Sequence, residues 1–144
     1  MEYLDVLERL KRELPLAFAR GSKQESDALA AFGRFFSDFS PDKVARLVDL
    51  TYAHDVWFND TLKTVHGRDE LREYLTHSAQ AVQSCRVAIL DTLSNDAGDY
   101  YVRWTMVIRF KRFKSNQDTQ TIGMSHLRFN REGLVQLHQD YWDS

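Results

Sequence analysis

The chain has 144 residues, of which 43% are hydrophobic and 28% are charged, and its formal net charge is −2. This length and composition indicate one globular domain with a substantial core, and they exclude a broad basic surface for nucleic acid and an apolar run long enough for a membrane span. The single cysteine, Cys85, excludes an internal disulfide and a cysteine-based metal site, and with no evident signal peptide we expect a cytoplasmic protein.

Residues 2–14 predict an amphipathic helix, because leucine recurs there at helical spacing up to the break at Pro15. Residues 20–24 are typical of a linker. We therefore expect residues 1–24 to form an N-terminal helix and linker, followed by a domain over residues 25–144. The leucine stripe must pack on that domain or on a partner, and it consists of Leu4, Leu7, Leu10 and Leu14.

The following segments predict two helices, one strand and a further helix. The first of these helices spans residues 25–39 and has a broad apolar face. Ser40 is a natural N-cap for the next helix, and Pro41 suits its first position. The strand covers residues 52–59, and after a loop the last helix begins at Arg68 and continues to about Val82.

The second half of the chain predicts strands that are separated by turn-forming residues. Alternating patterns with β-branched and aromatic side chains place these strands over residues 86–93, 100–112, 119–130 and 134–142. The order is helices, one strand, a helix and then a four-stranded meander. It predicts an α+β fold with helices on one face of a curved antiparallel sheet.

The last predicted strand carries polar side chains on one face. Side chains alternate along a strand, so one side of it is shared by Gln136, His138, Asp140 and Trp142. A strand that closes a small domain should turn an apolar face to the core, because an unpaired buried charge is costly. A pocket lined by this strand would explain the polar groups.

Five short segments carry distinctive signatures: HDVWFND at residues 54–60, VHGRDEL at 65–71, WTM at 104–106, GMSHLRF at 123–129 and HQDYWD at 138–143. Together they resemble the SnoaL-like branch of the nuclear transport factor 2-like (NTF2-like) superfamily, over about residues 26–143. The resemblance implies a cystatin-like, cone-shaped α+β barrel with helices on the concave side of the sheet, to which the N-terminal helix is an addition. It also implies a pocket between helices and sheet, and frequent homodimers through the outer face of the sheet.

The resemblance further implies acid–base chemistry in that pocket. Asp140 would be the general base or acid, His138 would tune it or relay its proton, and Arg103 would orient a carboxylate or a substrate oxygen. Asp60 occupies the place of the aspartate base of ketosteroid isomerase. We expect proton transfer of the isomerase, cyclase or lyase type on a small apolar or mildly polar molecule, with no cofactor and no metal. The remaining pocket residues are expected to be Phe36, Trp57, Asn59, His126 and Trp142.

Two known mechanisms of the superfamily lack parts in this sequence. Ketosteroid isomerase needs an oxyanion hole made of a tyrosine and a protonated aspartate, but the first core helix has no tyrosine and Ile122 occupies the acidic position. Limonene-epoxide hydrolase uses an aspartate–arginine–aspartate relay in which Asp140 and Arg103 would fit. Thr105 stands at the place of the other aspartate, which makes an epoxide hydrolase the less favoured enzyme.

Simpler interpretations of the same residues stay open. His138 can be a hydrogen-bonding residue of the sheet, Asp140 and Arg103 can form a structural ion pair, and Asp60 can be a turn residue. The alternative function is therefore a non-catalytic ligand-binding or dimerisation module. An open cavity with Asp140 and Arg103 pointing inward would favour an enzyme, whereas a cavity plugged by aromatic side chains would favour a module.

Overall fold

The structure is a computed structural model that describes residues 1–143, and these form four helices and six strands. The helices are α1 (Glu2–Glu13), α2 (Lys23–Ser37), α3 (Pro41–Thr51) and α4 (Arg68–Gln80). The strands are β1 (Tyr52–Asn59), β2 (Thr64–His66), β3 (Val82–Ser94), β4 (Tyr100–Phe110), β5 (Thr119–Phe129) and β6 (Val135–Trp142). Over these residues no helix is both long and apolar enough to cross a membrane.

Serine caps set the starts of α2 and α3. The hydroxyl of Ser40 accepts a hydrogen bond from the backbone N–H of Lys43, and Pro41 occupies the first turn, as the sequence predicts. The hydroxyl of Ser22 caps α2 in the same way, through the N–H of Glu25. Helix α2 therefore begins two residues earlier than predicted, within the segment expected to be a linker.

The six strands form one curved sheet in the order β2-β1-β6-β5-β4-β3. Strands β3 to β6 form the predicted antiparallel meander. Strand β1 pairs in parallel with β6, so the sheet is mixed rather than wholly antiparallel. Strand β2 lies in the predicted loop and pairs with β1, and its three residues are too few to show a strand pattern in the sequence.

Helices α2, α3 and α4 cover one face of the sheet, here called the inner face, and form the main core with it. The core consists of aromatic and aliphatic side chains from both the helices and the sheet. Among those that are fully buried are Phe32, Phe35, Val48, Tyr52 and Leu71. Helix α1 lies on the opposite, outer face, where Leu10 packs against Trp57 and Leu137. Three leucines of the predicted stripe, Leu7, Leu10 and Leu14, therefore pack on the domain itself, whereas Leu4 is exposed.

A buried polar network also fastens α1 to the outer face. Arg128 is 2% exposed, and its guanidinium donates to the carboxylate of Asp99 at 2.8 Å and to the backbone carbonyl of Leu14 at 2.7 Å. His126 contacts Asp99 at 2.9 Å through Nε2, and its Nδ1 lies 2.5 Å from the hydroxyl of Tyr3. The carboxylate of Asp99 thus pairs with both Arg128 and His126, whereas Nε of Arg128 is buried without a hydrogen-bond partner.

Candidate functional site

A cavity of about 610 Å³ lies between α2, α4 and the inner face of the sheet. Its walls are predominantly aromatic. The rings come from α2, the residue pair that follows it, α4 and the strands β1, β4 and β6: Phe32, Phe36, Phe39, Phe58, Tyr74, Trp104, Phe110 and Trp142. The size and the apolar walls are those of a site for a small organic molecule.

Strand register brings the polar side chains of β6 to one side of this cavity. In β6, His138 and Asp140 point inward, and the residues opposite them in β5 are Leu127 and Ser125. Phe58 of β1 flanks His138 on the other side. Side chains of paired residues project from the same face of a sheet, so the inward position of Asp140 also brings Ser125 into the cavity.

A chain of hydrogen bonds runs along the floor of the cavity. The Trp104 indole N–H donates to the Ser125 hydroxyl at 2.9 Å, and that hydroxyl donates to Oδ1 of Asp140 at 2.6 Å. Nε2 of His138 lies 2.6 Å from the same carboxylate oxygen, while Nδ1 lies 2.8 Å from the Tyr52 hydroxyl. Two donors therefore hold one carboxylate oxygen of Asp140 in place.

Tyr52 and Asp140 hold the imidazole of His138 from its two sides. Burial first, and then the charge of Asp140, raises the pKa of Tyr52 well above its ordinary value, so the phenol keeps its proton. Nδ1 of His138 faces this hydroxyl at 2.8 Å, and Nε2 faces Oδ1 of Asp140 at 2.6 Å. With a partner for each ring nitrogen, the imidazole is held in one orientation.

A second carboxylate, Asp60, lines the same cavity. Its Oδ2 accepts a hydrogen bond from the Tyr74 hydroxyl at 2.6 Å, and its Oδ1 accepts bonds from the backbone N–H groups of Leu62 and Lys63 at 3.0 Å each. Burial and then the bond to Asp60 raise the pKa of Tyr74, so this phenol also stays protonated. Asp60 is thus both a turn residue and a group that faces the cavity.

The structure brings five of the residues proposed from sequence to this cavity: Phe36, Asp60, His138, Asp140 and Trp142. It places Trp57, Asn59 and His126 on the outer face instead. Trp57 packs under α1, Asn59 bonds to Gln139, and His126 belongs to the Tyr3–Asp99 network. Each of the three is adjacent in sequence to an inward-facing residue, and alternation along the strand turns it away.

Arg103 also lies on the outer face rather than beside Asp140. Its side chain is 60% exposed and its guanidinium donates to the carboxylate of Asp91 on β3 at 2.6 and 3.1 Å. The indole of the adjacent Trp104 faces the cavity, so alternation along β4 directs Arg103 away from it. No ion pair between Arg103 and Asp140 occurs in the described residues.

Three residues of the site were not identified from the sequence: Tyr52, Tyr74 and Ser125. Ser125 could have been found, because its position opposite Asp140 follows once the turn between β5 and β6 is placed. Tyr52 and Tyr74 come from other elements, and their approach to His138 and Asp60 depends on tertiary packing. Across residues 1–143, no group of three or more potential metal ligands converges.

Gly123 allows the two tryptophans of the cavity wall to approach the sheet. A Cβ at Gly123 would lie 2.6 Å from Cζ2 of Trp104 and 2.8 Å from Cβ of Trp142. Gly123→Ala should therefore displace the tryptophans and lower the free energy of unfolding by about 1–3 kcal/mol, as overpacking does. Urea unfolding followed by tryptophan emission measures both effects. Gly33→Ala is the control, because its Cβ would only touch Ile89 at 3.6 Å, and equal stability of the two variants would contradict the prediction.

Comparison with known proteins agrees with this geometry. A sequence model of the SnoaL-like domain matches residues 32–138, whereas no curated protein matches the sequence significantly. Among solved structures, an NTF2-like protein of unknown function from Exiguobacterium sp. 255-15 is similar with a TM-score of 0.67 at 15% identity, covering 81% of this chain and 98% of the other. A candidate isomerase of the SnoaL-like family from Agrobacterium tumefaciens has a TM-score of 0.66 at 14% identity, covering 85% and 100%.

A third similar structure is an LEH-like epoxide hydrolase of M. tuberculosis, with a TM-score of 0.66 at 15% identity, covering 85% of this chain and 84% of the other. At these identities the similarities establish the fold and leave the reaction to be argued from the site. The α+β fold with helices on a curved sheet, predicted from the sequence, is confirmed.

Proposed function

The chain belongs to the SnoaL-like domain family, and from the geometry of its cavity we propose that it catalyses proton transfer on a small, largely apolar molecule. Asp140 is the general base. The observation that carries this proposal is the carboxylate of Asp140, held by Ser125 and His138 on the wall of a 610 Å³ aromatic cavity. A general base must be held within reach of the bound substrate, and the cavity wall holds Asp140 in such a position.

His138 acts in this proposal as a positioning residue. Its Nδ1 contacts the Tyr52 hydroxyl, and its Nε2 holds Asp140 in one orientation. One carboxylate oxygen is left for the substrate, because within residues 1–143 Oδ2 of Asp140 receives no hydrogen bond. The reaction class is that of an isomerase, cyclase or lyase, and a carboxylate base requires no cofactor for this step.

The geometry does not favour the other reactions considered from sequence. An epoxide hydrolase relay would need Arg103 beside Asp140, but Arg103 is bound to Asp91 on the outer face. A purely structural module would be expected to fill its cavity, yet the cavity is open and two carboxylates line it. These observations argue against a module whose cavity is plugged by aromatic side chains. Of the two side chains expected to point inward in an enzyme, Asp140 does so and Arg103 does not.

The proposed partner is a small apolar or mildly polar molecule. A homodimer through the outer face of the sheet stays a prediction, and α1 restricts it: α1 covers part of that face, where it packs on Trp57 and Leu137. Exposed apolar side chains such as Leu90 and Leu93 of β3 lie beyond this covered part.

The proposal can be tested without the natural substrate, by using a nitrobenzisoxazole as the probe. A base removes the proton bound to carbon, its electrons form the nitrile, the N–O bond breaks, and a coloured nitrophenolate leaves without needing a general acid. The wild-type protein should accelerate this reaction with saturation kinetics. Absence of saturable turnover would contradict the proposed function.

Arg103→Ala tests whether Arg103 takes part in the reaction, as the sequence predicts, or plays no part in it, as its position on the outer face indicates. Arg103 faces away from the cavity and pairs with Asp91. The kcat/KM of the variant for the nitrobenzisoxazole should therefore lie within about twofold of the wild-type value. The loss of a contact to the transition state would lower kcat/KM by more than this. Steady-state kinetics of the two proteins measure this. A tenfold or larger loss would mean that Arg103 acts in the reaction.

A further inference from the structure

The two carboxylates of the cavity lie side by side. Strands β1 and β6 are parallel neighbours, with Phe58 opposite His138 and Asn59 opposite Gln139. Continuing this register by one residue places Asp60 next to Asp140, and both line the cavity. Trp142 ties the two strand ends together, because its indole N–H donates to the backbone carbonyl of Asp60 at 2.7 Å.

Both carboxylates accept hydrogen bonds from neighbouring groups of the protein. Asp60 accepts from the Tyr74 hydroxyl and from two backbone N–H groups of its own turn. Oδ1 of Asp140 accepts from the hydroxyl of Ser125 and lies 2.6 Å from Nε2 of His138. Within residues 1–143, no hydrogen bond joins one carboxylate to the other.

Within the described part of the chain, no lysine or arginine lines the cavity to compensate these charges. Arg103 is on the outer face with Asp91. Lys63 is exposed, and its ammonium lies over the ring of Tyr74, 5.2 Å from the centroid. The described residues therefore place two carboxylates in the cavity wall with no lysine or arginine beside them.

The remaining wall is also suited to a cation. Phe36, Phe58 and Trp104 present aromatic rings to the cavity, and the faces of such rings carry partial negative charge that attracts ammonium groups. An anionic ligand would meet two like charges in a poorly solvated space, which is unfavourable. An ammonium group on an apolar skeleton would satisfy both the carboxylates and the rings.

We propose that the substrate of this pocket is a lipophilic amine that binds as its ammonium ion, with Asp60 holding the charge beside Asp140. This proposal deepens the proposed function and depends on it, because it assigns the substrate class of the same site. Asp60 is then the residue that determines specificity, and Tyr74 positions it through the bond of 2.6 Å. Asp140 remains free to take a proton from the skeleton.

Three ligands with one skeleton test the assignment: phenylbutylamine, phenylbutanol and phenylbutyrate. Calorimetric titration of the wild-type protein should show the amine binding about tenfold or more tightly than the alcohol, as expected for one ion pair at low salt, and the carboxylate binding most weakly. Asp60→Asn should bring the affinity for the amine close to that for the alcohol, and should leave the alcohol within about twofold, because only the charge is removed.

Asp69→Asn is the matched control, because it removes one negative charge from an exposed position on α4 outside the cavity. It should leave the preference for the amine unchanged. The proposal is overturned if phenylbutyrate binds as well as phenylbutylamine, if none of the three ligands binds, or if Asp60→Asn keeps the preference. If the Asp60 variant fails to fold, the affinities of the wild-type protein for the three ligands still test the proposed substrate class.

The outcome is independent of the test of the proposed function. The nitrobenzisoxazole is uncharged, so its turnover tests proton transfer and does not depend on the recognition of an ammonium ion. Turnover without a preference for amines would refute only the substrate class. A preference for amines that requires Asp60, without turnover, would refute the proton-transfer function and retain the binding assignment.

Discussion

Arg128→Met should lower the free energy of unfolding by about 3–5 kcal/mol, because it removes the guanidinium from its buried ion pair with Asp99. Arg128 and Asp99 are each 2% exposed, and the guanidinium also satisfies the backbone carbonyls of Ala97 and Leu14. Methionine fills a similar volume, so lost packing contributes little. Urea unfolding of the variant and the wild-type protein measures the change.

Arg109→Met is the matched control. Arg109 pairs with Asp118 at 3.0 Å, but both side chains are 40–47% exposed, so the expected loss is about 1 kcal/mol or less. Similar losses for Arg109 and Arg128 would contradict the assignment of a buried network. Amide hydrogen exchange should also accelerate in α1 when Arg128 is replaced, because the network is what joins Leu14 to the sheet.

Lowering the pH should remove the contribution that the Arg128–Asp99 ion pair makes to the free energy of unfolding. Burial acts to raise the pKa of Asp99, but hydrogen bonds from His126, Asn95 and Arg128 outweigh it, and the net pKa lies well below the usual range. A carboxyl with a depressed folded-state pKa stabilises the protein above its unfolded value of about 3.9 and loses this effect as the pH falls further. The difference between wild type and Arg128→Met should therefore shrink below about pH 4.

Local sequence patterns were sufficient to predict most helices and strands. Strand β1 spans Tyr52–Asn59 as predicted, and the capping pair Ser40–Pro41 begins α3. The inward face of β6 with His138 and Asp140 also follows from alternation alone. These features are local, so each can be derived from a few neighbouring residues.

Some residues that were assigned to the cavity from the sequence lie on the outer face, because that assignment grouped side chains that point to opposite faces of the sheet. Trp57 and Asp60, or Trp104 and Arg103, cannot both face one cavity from a regular strand, and in the structure only Asp60 and Trp104 do so. His126 faces outward because it is opposite Gln139 rather than Asp140. That assignment needs the register between β5 and β6, which the turn at Gly133 fixes.

The position of α1 could not be predicted from the sequence. The leucine stripe shows that α1 must pack, but not on which surface. Its anchors are distant in sequence: Tyr3 reaches His126, and the carbonyl of Leu14 accepts from Arg128. Helix α1 covers the back of β6, the strand whose inner face carries His138 and Asp140, so it also stiffens the support of the site.

Asp140→Asn should lower the kcat for nitrobenzisoxazole turnover by about 10²–10⁴-fold, which is the usual contribution of a positioned general base. Asparagine has the same shape, and its amide oxygen can still accept from Ser125 and His138. The fold and the cavity should therefore be retained, while the group that accepts the proton is lost. KM should change little, because the uncharged probe binds mainly to the aromatic walls.

The most direct measurement of the central claim compares kcat for the nitrobenzisoxazole in the wild-type protein, in Asp140→Asn and in Arg103→Ala, with urea unfolding of each to verify folding. The proposed function predicts a folded Asp140 variant that is at least about 10²-fold slower than the wild type, beside an Arg103 variant of nearly wild-type rate. A folded Asp140→Asn protein that turns over the probe as fast as the wild type would show that this carboxylate is not the base.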